Sequence, residues 1–69
     1  MERVFIKFKI TDDASKLLNL ANIESVKASS AVTCVITTTG GGIHYVQHNY
    51  DNVMKLISSY ATIVSAQEN

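Results

Sequence analysis

Apolar and polar positions alternate from the start of the chain. Val4, Ile6, Phe8 and Ile10 are separated by Phe5, Lys7 and Lys9, with Arg3 ahead of them. A period of two predicts a half-buried strand. The polar run Thr11-Asp12-Asp13-Ala14-Ser15 follows, and its Asp residues favour a turn. The next segment supports two readings. Leu17, Leu20 and Ala21 fall at a helical spacing, which gives a β-α-β-β-α order. Asn19, Asn22, Ile23, Ser25 and Val26 are mediocre helix formers, however. They favour a short strand at Leu17–Leu20, a tight turn at Ala21-Asn22 and a second strand at Ile23–Ala28. Val32 to Thr39 is almost wholly β-branched and is the clearest strand. Gly40-Gly41-Gly42 then supplies a hairpin turn, and Ile43 to His48 the return strand.

Looping out Gly40 and Gly41 alone predicts the pairs Thr38–Ile43, Ile36–Tyr45 and Cys34–Gln47. Cys34, Ile36, Ile43 and Tyr45 then share one face. Thr33, Val35, Thr37, His44, Val46 and His48 share the other. Looping out all three glycines pairs Ile36 with Val46 instead; the first register gives the more apolar face. Beyond the hairpin, Asn49 is a good helix cap and Asp51 sits where negative charge favours a helix start. Tyr50, Val53, Leu56, Ile57, Tyr60 and Val64 fall on one helical face. Thr62, Ile63 and Val64 weaken the propensity after that. The fold expected is α+β: a small antiparallel sheet of four to five strands with one C-terminal helix (β-β-β-β-α). It forms a single domain over 1–69, with 62–69 a frayed tail.

Four segments carry a family resemblance. They are Phe5-Ile6-Lys7-Phe8, Asn19-Leu20-Ala21-Asn22-Ile23-Glu24-Ser25-Val26, Val35-Ile36-Thr37-Thr38-Thr39-Gly40-Gly41, and Asn49-Tyr50-Asp51-Asn52-Val53 with Leu56-Ile57. Together they resemble the small swarming-motility and flagellar-operon proteins of bacteria, and similar small phage-borne proteins. The resemblance implies an accessory protein without catalysis, and it favours strands over a helix in Leu17–Ala28.

Composition narrows the function classes. Hydrophobic residues make up 46% of the 69 and charged residues 17%, a balance that excludes a disordered chain. Six basic residues match six acidic ones, which argues against a general polyanion binder. One cysteine allows no internal disulfide and fits a reducing, cytoplasmic setting. Lys7 and Lys9 interrupt any signal-peptide core, and the uncharged stretch from Ala28 to Tyr50 is too rich in Ser, Thr, Gly and His to cross a bilayer.

Candidate chemistry is sparse. Cys34 reads as a small buried hydrophobe, since the expected register puts His44 and His48 on the other face. On a strand, those two histidines lie about 13 Å apart, too far for one metal ion. The glycine run leads into a strand, whereas phosphate loops lead into a helix. No catalytic set, metal site or cofactor is expected. Arg3, Lys7 and Lys9 with Phe5 between them form a basic stripe with an interleaved aromatic, a pattern that binds anions. Arg3, Phe5, Lys7, Lys9, His44 and His48 are therefore the candidate ligand residues. Phe5, Val35 and Val46 lie opposite the expected core face and are the candidate oligomer interface.

Three functions fit. The first is a non-enzymatic accessory or regulatory module that forms a dimer or small ring and binds a larger protein. The second is a phage-encoded inhibitor or sponge holding an anionic nucleotide between subunits. The third is a single-stranded nucleic-acid binder.

Overall fold

The computed structural model describes residues 3–66. It contains five strands and one α-helix: β1 (Phe5–Thr11), β2 (Ala14–Asn19), β3 (Ile23–Ala28), β4 (Cys34–Thr38), β5 (Gly42–Val46) and α1 (Tyr50–Ser58). One turn of 3-10 helix, Leu20–Asn22, joins β2 to β3. The α+β class with antiparallel pairing and a C-terminal helix is as expected. The strands form two sheets rather than one, a β1-β2 hairpin and a β3-β4-β5 meander.

The segment that could have been a helix is extended. β2 pairs with β1, placing Leu18 opposite Ile6 and Lys16 opposite Phe8. The chain reverses where the Asn19 side chain accepts a hydrogen bond from the Ala21 N–H at 3.0 Å. Such a local side-chain bond competes with helix propagation. β3 occupies the expected Ile23–Ala28, while β4 starts two residues later than its β-branched run. Ser30 explains the delay. Its hydroxyl accepts from the Val32 N–H at 3.2 Å and bonds the Thr33 hydroxyl at 2.7 Å, holding those residues in the loop.

The hairpin register differs from both sequence readings. The observed pairs are Thr38–Gly42, Thr37–Ile43, Ile36–His44, Val35–Tyr45 and Cys34–Val46. Thr39, Gly40 and Gly41 form the loop, closed by the Gly41 N–H donating to the Thr38 carbonyl at 3.0 Å. Gly40 and Gly41 have φ of 90° and 88°, values that favour glycine. Gly42 lies in β5 for another reason. A Cβ there would come within 2.6 Å of Thr38 Oγ1 and 3.2 Å of His44 Nε2. Sliding the return strand by one residue exchanges its faces. Val46 is therefore fully buried, and Ile43 and Tyr45 face outward.

One core serves both sheets. Ile6 and Phe8 of β1, Leu18 of β2, Cys34 and Ile36 of β4, Val46 of β5, and Val53 and Ile57 of α1 form a single buried cluster. The helix starts as expected, with Asn49 Oδ1 accepting from the Asn52 N–H at 2.8 Å. It ends sooner, at Ser58, so Tyr60 and Val64 never join its apolar face. The hydroxyls of Ser58 and Ser59 both donate to the Lys55 carbonyl, a local alternative to further helix. Residues 61–66 are exposed and form neither helix nor strand, and the rest of the expected tail, 67–69, lies outside the described residues.

Candidate functional site

Strand alternation puts Phe5, Lys7 and Lys9 together on the outward face of β1, with Leu17 of β2 opposite Lys7. Arg3 is exposed just ahead of the strand. Lys9 lies 3.4 Å from the Asp12 carboxylate, which offsets part of its charge. The basic stripe is thus present, and among the described residues Lys9 is the member of it that meets a carboxylate.

The two histidines are not on that face. Each ties one sheet to the other. His44 stands opposite Ile36 on the inward side of β5, half-buried. Its Nδ1 is 3.2 Å from Lys16 Nζ on β2. An ammonium can only donate, so Nδ1 accepts and the ring proton sits on Nε2. Nε2–H then donates to Thr38 Oγ1 at 3.3 Å, and that hydroxyl donates to the Gly42 carbonyl at 3.5 Å. His48 uses the opposite tautomer. Its Nε2 accepts from the Lys9 backbone N–H at 3.0 Å, and the neighbouring Gln47 N–H donates to the Lys9 carbonyl at 2.7 Å. A side chain thereby completes the pairing of β1's free edge to the chain leaving β5. The His48 ring also meets Phe8 edge-on, with centroids 5.9 Å apart.

Cys34 is fully buried, and burial pushes its thiol above the ordinary value of 9.0. It packs as a small hydrophobe. Among the described residues, no three His, Cys, Asp or Glu side chains gather as metal ligands.

The interface candidates divide. Phe5 is exposed, and Val35 lies half-buried on the outward face of β4. Val46 must be withdrawn, because the corrected register places it in the core. Ile43 and Tyr45 replace it, 63% and 62% exposed, on the same outward face as Val35 and Thr37. Ser25 and Lys27 of β3 continue that face. Sequence reasoning missed Ile43 and Tyr45 because it assigned them to the core. The glycine run gives no signal here, since the expected loop and the observed one both place Gly40 and Gly41 in the turn.

No protein-family model, curated protein or solved structure matches the chain. Among the described residues, no helix is long and apolar enough to cross a membrane.

Proposed function

We propose that the protein is a small non-enzymatic accessory module, working in the cytoplasm. It self-associates through the outward face of β3-β4-β5 and binds a larger protein partner. The observation that carries this reading is the cross-strand block of Val35 and Thr37 against Tyr45 and Ile43, which contains no charge and leaves two large apolar side chains in water. Tyr45 is the aromatic of this patch, on the edge strand β5, and aromatic side chains are enriched among the residues that carry interface energy.

Symmetric pairing is the commonest way to cover such a face, with Lys27 at its rim. The accessory role is also what the resemblance to swarming-motility and flagellar-operon proteins implies. A nucleotide sponge or single-strand binder would draw on Arg3, Phe5, Lys7, Lys9, His44 and His48 together. Here both histidines are engaged between the sheets and Lys9 meets Asp12.

Light scattering on Tyr45→Glu and Ile43→Lys tests the face. Both variants should melt cooperatively like the parent yet lose its association. Association unchanged in both would reject this surface.

A further inference from the structure

The register of the meander gives its outward face an internal symmetry. One row across the strands holds Lys27, Val35 and Tyr45, and another holds Ser25, Thr37 and Ile43. Between them runs the row Val26, Ile36 and His44, whose side chains face inward. The line through these three divides the outward face into matching halves. Tyr45 on one side answers Ile43 on the other, both large, apolar and exposed, and Val35 answers Thr37.

Charge follows the same division. Ile23 and Val26 both pack against the core, so the two residues between them, Glu24 and Ser25, both turn away from it. A register shift between Ile23 and Ser25, the mark of a β-bulge, accommodates the extra residue. Glu24 therefore joins Ser25 at the end of the second row, as Lys27 ends the first. Both are exposed, and β3, β4 and β5 hold no other Asp, Glu, Lys or Arg. Among the described residues the one ion pair is Lys9 with Asp12, so neither Glu24 nor Lys27 meets an opposite charge there.

We propose that this face pairs with the same face of a second copy about a two-fold axis lying along the Val26–Ile36–His44 line. The proposal rests on the self-association reading and supplies its geometry. Rotation about that line lays each row on the other row of the partner. Tyr45 then packs on the partner's Ile43, Val35 on the partner's Thr37, and Lys27 meets the partner's Glu24. Each contact occurs twice, as a symmetric interface requires. Stacked sheets lie about 10 Å apart, a gap that facing side chains fill. A two-fold running along β4 would instead lay β5 over the partner's β3. That would set Tyr45 and Ile43 against Lys27, Ser25 and Glu24, burying charge beside apolar groups without an opposite charge.

Charge reversal tests the geometry, read as dimer affinity by sedimentation equilibrium at low salt. Lys27→Glu sets carboxylate against carboxylate at both ends of the axis, and Glu24→Lys sets ammonium against ammonium. Each variant alone should associate about tenfold more weakly than the parent, since two exposed pairs turn from attraction to repulsion. Mixed in equal amounts, the two should recover the parent's affinity, because each brings the charge that the other lacks. High salt should level these differences. Both positions are exposed, so each variant should melt like the dilute parent. A parent that stays monomeric would reject self-association itself. If the parent associates and Tyr45→Glu dissociates it, a mixture as weak as its components would keep the face and overturn this two-fold. Reversals that leave the affinity unchanged would overturn it as well.

Discussion

Replacing His48 by alanine removes two contacts at once, and the structure sets what each should cost. The ring nitrogen is the acceptor for the Lys9 N–H, at 3.0 Å, on the edge where β1 meets the chain leaving β5. A neutral hydrogen bond of that kind contributes about 1 kcal/mol net. The edge-on contact with Phe8, at 5.9 Å and 67°, adds about 0.5–1.5 kcal/mol. The neighbouring bond from the Gln47 N–H to the Lys9 carbonyl survives, so the edge should loosen rather than open. His48→Ala should therefore cost about 2 kcal/mol, a large share of the total stability of a domain this small. Thermal melts should show Tm falling by about 8–16 °C at the usual scaling for small domains. His48→Phe keeps an aromatic edge against Phe8 but offers no acceptor, and should lose only about 1 kcal/mol. Hydrogen exchange at the Lys9 amide should quicken in both variants. If His48→Ala melts within about 0.5 kcal/mol of the parent, the level of an ordinary surface change, His48 does not join the sheets.

Three further outcomes follow from the packing. Gly42→Ala should destabilise by about 1–3 kcal/mol in urea melts, because its Cβ would strike Thr38 Oγ1 and crowd His44; a neutral effect would mean the hairpin closes differently. Ile36→Ala should cost about 2–5 kcal/mol, and Ile43→Ala in the dilute monomer about 0.5 kcal/mol or less. Comparably large costs at both positions would restore the register expected from sequence, in which Ile36 and Ile43 share the apolar face. The third concerns pH and Cys34. Its thiol is raised in the folded state, so between its unfolded and folded values only the unfolded chain releases the proton, and stability falls as pH rises above 9.0. Below that pH the thiol is neutral in both states and contributes no slope. Cys34→Val should flatten the alkaline decline seen in urea melts, and an identical slope in the variant would assign it to other groups.

Local signals carried most of the elements. Alternation located β1, mediocre helix formers at Asn19, Asn22 and Ile23 pointed to strands across Leu17–Ala28, and Asn49 with Asp51 marked the start of α1. The hairpin register was harder to read for a physical reason. Three consecutive glycines permit several closures, and each single-residue shift turns a complete set of side chains over. That one shift buried Val46, brought His44 toward Lys16 and exposed Ile43 and Tyr45. The division into two sheets had no periodic signature, because the ties between them are a few bonds across distant residues, such as those of Lys9 with His48 and Gln47. The helix end was equally local, resting on two serine hydroxyls turned back to Lys55. For the candidate site, the outward placement of Phe5, Lys7 and Lys9 was legible from alternation alone. The association face was not, because it depends on the register.

Self-association through the Ile43–Tyr45 face is the claim on which the functional reading rests, and sedimentation velocity tests it most directly. Over about a hundredfold range of concentration starting near micromolar, a reversible assembly must change mass by mass action. The account predicts a rise from the 7.6 kDa chain toward twice that mass, with Tyr45→Glu holding at the chain mass throughout. A parent protein that sediments at 7.6 kDa across the whole range would contradict it.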